Sequence, residues 1–282
     1  MTFTQAVVSM FTMPYPFERR YLQLALLAAV AVGMSAPLLG AFLVERRMSL
    51  MGDGIGHIAF AGVAGGLLVG VWPVWTALAA AIVGALFMEF LRSSGRAQGD
   101  LALAVLLYGG VGLGLVLASA AGSYNASMLS YLFGSLLTVS SDEVMTIVVL
   151  AAVVGFAVVV NWRRLLVVVT DPDFARTVPL NVRLIDLSIA VGAALVIVAA
   201  MRVVGLLLVA SMLVLPVGAA RQLASSFRSS LVLSSLIGGI ASVAGLWFAR
   251  VADWPPGATI VLVSTSLVVL SALASRLRTR GT

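Results

Sequence analysis

Apolar residues run along this chain in blocks of about 20, separated by short polar joints. Such runs fall at Tyr21–Val44, Ile55–Val71, Trp75–Leu91, Leu101–Ala121, Val144–Val160, Leu184–Met201, Val203–Ala220, Leu231–Ala249 and Gly257–Ser275. A bilayer core takes about 20 apolar residues per helix, so the pattern predicts an all-α, polytopic transmembrane bundle of about nine spans. Two joints keep eight open as well. Trp72-Pro73 divides the second run from the third, and Arg202 alone divides the sixth from the seventh. Each pair reads equally as a helical hairpin or as one broken helix. No internal repeat is visible, which weighs against an inverted-repeat secondary transporter.

Composition and charge orient this bundle. Of 282 residues, 61% are hydrophobic and only 10% are charged, against about 25% charged in soluble domains. Such a surface faces lipid. All 17 basic residues are arginine. With the N-terminus outside and nine crossings, thirteen arginines fall in inside loops and four outside, at Arg19, Arg20, Arg202 and Arg250. The positive-inside rule favours that orientation, and Trp72, Trp75, Trp247 and Trp254 then fall at outer ends as an aromatic belt. The net charge of +6 forms no basic face for a phosphate backbone, so no nucleic-acid partner is expected. Absence of cysteine excludes disulfides and thiolate metal sites. The first run follows Glu18-Arg19-Arg20 and lacks a small-residue cleavage site, so it reads as a permanent anchor rather than a signal peptide.

Two connecting segments are more than simple loops. Ser123–Glu143, with Tyr124, Tyr131, Phe133 and Gly134, reads as an outer-face or partly re-entrant segment. Thr170–Asp186 is the longest polar stretch and lies inside. There Asp171 is predicted to cap a short helix whose first turn holds Pro172 and Asp173, and Val178-Pro179 ends it. That helix reads equally as an ordinary loop helix or as a contact for a soluble partner. Glycines crowd the spans, notably Gly62, Gly65, Gly66 and Gly70, then Gly109, Gly110, Gly112 and Gly114, and they predict close helix approach.

Candidate chemistry is sparse. His57 is the single histidine, and Asp53 precedes it in M-G-D-G-I-G-H-I-A. A spacing of i, i+4 places both on one helical face. Imidazole nitrogen and carboxylate oxygen both suit zinc, manganese or ferrous iron, and ionisable groups at membrane depth tend to line a polar path. The bland alternative is that Asp53 orients His57 or caps the second span. Further ligands would come from Met48, Met51, Ser211 or Met212. No G-x-S-x-G or H-E-x-x-H motif is present, so no enzyme activity is expected. With no lysine a Walker A loop is impossible, and any ATP would be hydrolysed by another subunit.

Four blocks carry a family resemblance, and together they span nearly the whole chain. Phe42–Ala64, F-L-V-E-R-R-M-S-L-M-G-D-G-I-G-H-I-A-F-A-G-V-A, resembles the signature of the zinc/manganese/iron ABC transporter permeases. Ser130–Ser141, S-Y-L-F-G-S-L-L-T-V-S-S, looks like that family's F-L-F-G-S block. Asp171–Val182 looks like its D-P-E-F-A-R segment, and Arg202–Ala220 like its R-x-V-G-x-L-L-V block. The sequence departs from the family where Gly54 and Gly56 replace its usual Ala and Ser, and where Pro179 stands near its usual Gly.

The resemblance implies a single type II-importer-like permease domain over 1–282, in the cell membrane of a prokaryote, working as a homodimer around a central metal path. Two cytosolic ABC ATPases would dock beneath it, and an extracytoplasmic metal-binding protein would deliver the ion. Asp53 and His57 match the family's metal-handling positions. Asp171, Pro172, Asp173, Phe174, Ala175 and Arg176, within a cytosolic segment 170–183, match its coupling helix. The metal is cargo rather than a resident cofactor, with zinc expected first and manganese next. Three rivals stand beside this reading: an iron-siderophore or cobalamin permease, which needs a wider path without a charged pair; an ion-driven secondary carrier, which needs no ATPase; and a membrane enzyme or purely structural membrane protein, the enzyme being disfavoured by the lack of a catalytic set.

Overall fold

The computed structural model describes residues 17, 19–93, 99–122, 126–134, 140–206 and 208–280, and these form helices without a strand. The order is α1 (Arg20–Glu45), α2 (Met51–Val69), α3 (Pro73–Ser93), α4 (Gly99–Ala120), α5 (Ala126–Phe133), α6 (Ser141–Thr170), α7 (Pro172–Thr177), α8 (Val182–Met201), α9 (Val209–Leu223), α10 (Phe227–Ala252) and α11 (Pro256–Arg280). Eight of these are long and apolar enough to cross a membrane: α1 to α4, α6, α8, α10 and α11. Helix α9 is shorter, with 15 residues.

Burial sorts the helices into a centre and a rim. Helix α1 packs along α10, α6, α9 and α8, while α2 packs along α4, α3, α8 and α9. These two and α8 are the most enclosed spans, whereas α4, α6 and α11 keep most of their surface open. The open faces carry Val105, Leu113, Val116, Phe156, Val159, Leu270 and Leu277, as lipid-facing surfaces should. Small residues set the central crossings. A Cβ on Gly33 of α1 would lie 2.6 Å from the Gly238 carbonyl oxygen, and one on Gly238 of α10 would lie 2.0 Å from that of Gly33. The two backbones therefore touch, and Ser235 adds an interhelical bond by donating to the Met34 carbonyl at 3.0 Å.

Three span boundaries differ from the sequence expectation. The second span begins at Met51 rather than Ile55, which brings Asp53 into its first turn. The fifth runs 30 residues, far past Val160. Of the counts left open by the sequence, eight spans and a shorter apolar helix form among the described residues, and the difference lies at the seventh run. Val203–Ala220 is not one helix, because the chain leaves helical geometry after Met201 and resumes it at Val209.

Non-helical backbone at membrane depth is tolerated only where protein covers it, and here it is covered. Val203, Val204 and Leu206 are buried, and the Leu206 N–H donates to the Tyr131 carbonyl at 3.0 Å. Gly134 and Gly205 both have positive φ, +74° and +92°. A Cβ on Gly205 would sit 2.3 Å from the Phe133 carbonyl carbon, so the end of α5 and the break lie backbone to backbone. Helix α5 of the Ser123–Glu143 segment thus packs on the break. Residues 123–125 and 135–139 of that segment lie outside the described residues.

A buried charge pair holds the same junction. Arg202 and Glu143 approach to 2.8 Å with side chains 9% and 10% exposed. Arg202 also donates to the Ser130 hydroxyl at 3.2 Å and lies 4.6 Å over the Tyr131 ring. Glu143 closes a capping box with Ser140 at the start of α6. Removing one partner of such a pair leaves the other uncompensated. Glu143→Ala is therefore expected to destabilise the protein by about 3–5 kcal/mol. The double variant Glu143→Leu with Arg202→Met is expected to lose less, and thermal unfolding in detergent compares the two.

Candidate functional site

Helix α2 presents the candidate pair. Asp53 lies in its first turn, where a carboxylate is favoured by the helix dipole, and His57 follows one turn later. Both are half-buried. Neither side chain makes a hydrogen bond or an ion pair within 4 Å among the described residues, and their electrostatic interaction is with each other. Asp53 thus does not act as the helix cap, since the N-cap is Leu50 without a side-chain bond.

The glycines around the pair have a packing role. A Cβ on Gly110 of α4 would lie 2.7 Å from the His57 carbonyl carbon and 2.8 Å from the Ile58 nitrogen. Helix α4 therefore rests on the backbone that carries the imidazole. Gly54 faces α4 as well, with its added Cβ 3.0 Å from Leu103 Cδ1, while one on Gly52 would lie 3.0 Å from Leu213 Cδ1 on α9. The departure at Gly54 thus fits a tight helix approach, and α2 stays continuous through it.

The other proposed ligands are distributed differently. Met51 and Met212 are enclosed in the core, at 1% and 0% exposure. Met48 is partly buried and lines, with Arg47, Leu50 and Leu103, a hollow beside the start of α2. Ser211 is half-buried, and its hydroxyl donates to the Leu208 carbonyl. Among the described residues no group of three or more His, Cys, Asp or Glu side chains is placed to hold a metal. The described residues of one chain place two candidate ligands in the first turns of α2.

Helix α7 forms as expected. Asp171 caps it by accepting from the Phe174 N–H at 2.9 Å, Pro172 occupies the first turn, and Val178 ends it in extended geometry. Ala175 is fully buried while Phe174 is exposed. The Pro172 and Arg176 side chains lie outside the described residues.

Sequence reasoning missed one cluster close to α2. Arg46, the C-cap of α1, meets Asp186 of α8 at 2.6 Å. Arg92 of α3 meets the same carboxylate at 3.1 Å and Glu89 at 2.7 Å. The Glu89/Arg92 spacing of i, i+3 was its one legible signal.

This arrangement can be set beside known proteins. The model of the ABC 3 transport family matches residues 18–275. The chain belongs to that family. It is 32% identical over 253 residues to the manganese transport system membrane protein MntC of Listeria monocytogenes, covering 90% of each chain. It is 30% identical over 251 residues to the manganese import system permease protein ScaB of Streptococcus parasanguinis, covering 89% of each. Among solved structures it aligns with PsaBC from Streptococcus pneumoniae in complex with Fab. That alignment has a TM-score of 0.81 and 29% identity over 90% of this chain and 91% of that one. An inward-facing ABC transporter of metal-chelate type shares the fold at a TM-score of 0.65 and 18% identity, over 89% and 85% of the two chains. This member of the ABC 3 transport family is a multi-pass membrane permease, a transport component rather than an enzyme.

The contact at Gly110 gives a test of the local packing. Gly110→Ala is expected to destabilise the protein by about 1–3 kcal/mol through overpacking against His57. Gly112→Ala, on the same helix with open space around it, is expected to be neutral or slightly stabilising. Thermal unfolding of the two variants side by side reads the difference.

Proposed function

We propose that this chain is the permease subunit of an ATP-driven importer of a divalent first-row metal, with Asp53 and His57 as the ligands the ion meets. The carrying observation is the pair itself. Two ionisable side chains one turn apart on an enclosed span have no hydrogen-bond or ion-pair partner among the described residues. In lipid such groups are retained where they line a polar path. Two ligands per chain make a usable site when a second copy supplies two more, so the reading includes a homodimer with α2 near the two-fold axis. Four exchangeable nitrogen and oxygen ligands hold an ion without the permanence of a closed thiolate cage.

Manganese comes first and zinc second. Relatives named for manganese support that order, which reverses the order expected from the sequence. Carboxylate and imidazole suit both ions, and no soft sulfur ligand is required. Met48 and Ser211 are the more accessible secondary candidates, since Met51 and Met212 are enclosed. The iron-siderophore or cobalamin rival shares the fold class, but it gives no role to a charged pair. The secondary-carrier rival gives no role to α7.

The rest of the reading follows the resemblance. The whole chain is one permease domain, with the N-terminus outside and the C-terminus in the cytoplasm. Residues 170–183 form the coupling segment, in which Asp171, Pro172, Asp173, Phe174, Ala175 and Arg176 meet an ABC ATPase that hydrolyses the ATP. The exposed Phe174 ring beside the buried Ala175 suits that contact. Two ATPase copies serve the dimer, and an extracytoplasmic binding protein loads it.

Asp53→Ala and His57→Ala are each expected to lower metal uptake by at least about tenfold at unchanged expression. Uptake assays with manganese, zinc and ferrous iron check this, and normal uptake in both variants would remove the site assignment. A chain that imports metal in liposomes without any ATPase would remove the ABC reading itself.

A further inference from the structure

The cluster of two arginines and two carboxylates is used by nothing described so far, and its connections single out one residue. Arg46 is bound from both sides of α7. The same terminal nitrogen of its guanidinium donates to the Val168 carbonyl at 3.1 Å and meets Asp186 at 2.6 Å. Val168 lies on α6, one turn before the Asp171 cap, and Asp186 lies on α8, one turn after that helix begins. The two arms that hold α7 thus converge on one side chain. Arg46 and Asp186 are 10% and 12% exposed, so solvent screens their attraction weakly.

Arg46 is also joined tightly to the metal-ligand helix. Four residues separate it from Met51, and the joint is a run of short backbone bonds. Arg46 N–H donates to Phe42, Met48 N–H to Leu43, Met51 N–H to Met48 and Asp53 N–H to Leu50, at 2.8–3.1 Å. Arg47 takes a left-handed conformation within it, with φ +57°. A joint this short and this bonded has little slack, so a displacement of Arg46 moves the first turn of α2 and Asp53 with it. The second oxygen of Asp186 holds Arg92, which Glu89 grips with both of its oxygens, and this anchors the carboxylate to α3.

We propose that the Arg46–Asp186 pair is the link that transmits movement of α7 into α2, so that Arg46 and Asp186 are positioning residues for transport rather than metal ligands. The proposal rests on the importer reading above. In it, a partner that shifts α7 shifts Val168 and Asp186 together, and Arg46 carries the shift to the turn that presents Asp53. A linked pair of this kind separates ATP hydrolysis from transport when it is cut, whereas a merely structural pair lowers both in step.

The test uses the complete reconstituted complex with its ATPase and binding-protein partners, and reads metal ions imported per ATP hydrolysed. Wild-type import driven by ATP first checks the importer reading on its own. Asp186→Asn and Arg46→Gln are then each expected to lower the coupling ratio on the order of tenfold while ATPase activity persists. The double variant is expected to be no worse than either single one, and Asp186→Glu is expected to recover part of the ratio. If Asp186→Asn fails to assemble, Arg46→Gln and Asp186→Glu carry the same reading. An unchanged ratio in the assembled variants, or additive losses in which ATPase and import fall in parallel, would overturn the link while leaving the importer reading intact.

Discussion

Hydrocarbon offers no hydrogen bonds, and that single constraint shapes this structure. A backbone that must satisfy itself becomes helical wherever lipid is near, which accounts for eight long apolar helices. It also dictates what must happen where the helix stops. At Val203–Leu206 the chain leaves helical geometry, and the break sits against the end of α5 and beside the Arg202–Glu143 pair. The Gly134–Gly205 contact exists because two backbones can satisfy and cover each other only if no side chain stands between them.

Charge follows the same logic one level up. The described acidic residues inside the bundle are mostly neutralised by arginines from other helices or nearby turns, as Asp186 is by Arg46 and Arg92, and Glu143 by Arg202. Against that background Asp53 and His57 stand apart, because the described residues give their side chains only each other. That contrast is what supports the proposed role of the pair, since the ion pairs have their needs met internally and Asp53 and His57 do not.

Much of this was readable in residues alone. Hydrophobic run length marked the spans, and the Asp171-Pro172 start and Val178-Pro179 stop of α7 came from local capping chemistry that needs no tertiary contact. The Asp53–His57 register came from helical spacing. What stayed hidden depended on partners distant in sequence. A run such as Val203–Ala220 is apolar whether helical or not, and its break is set by the α5 backbone and a capping glutamate some 60 residues away. Asp186 read as the tail of a polar loop because Arg46 and Arg92 reach it only after α1, α3 and α8 pack together. Met51 and Met212 looked like soft ligands, and burial shows them as core filling as well.

The length of α6 has a consequence of its own. Thirty residues make a rod of about 45 Å, while the hydrocarbon is about 30 Å thick. Even a tilted rod has length to spare, and its far end carries α7. In the proposed importer that surplus serves as a stand-off: it carries α7 toward the aqueous side of the headgroups, where a soluble protein can grip it without stripping lipid from either surface. On that reading a chain so poor in polar residues sets aside a small platform for water-borne contact and turns its apolar helix faces to the membrane.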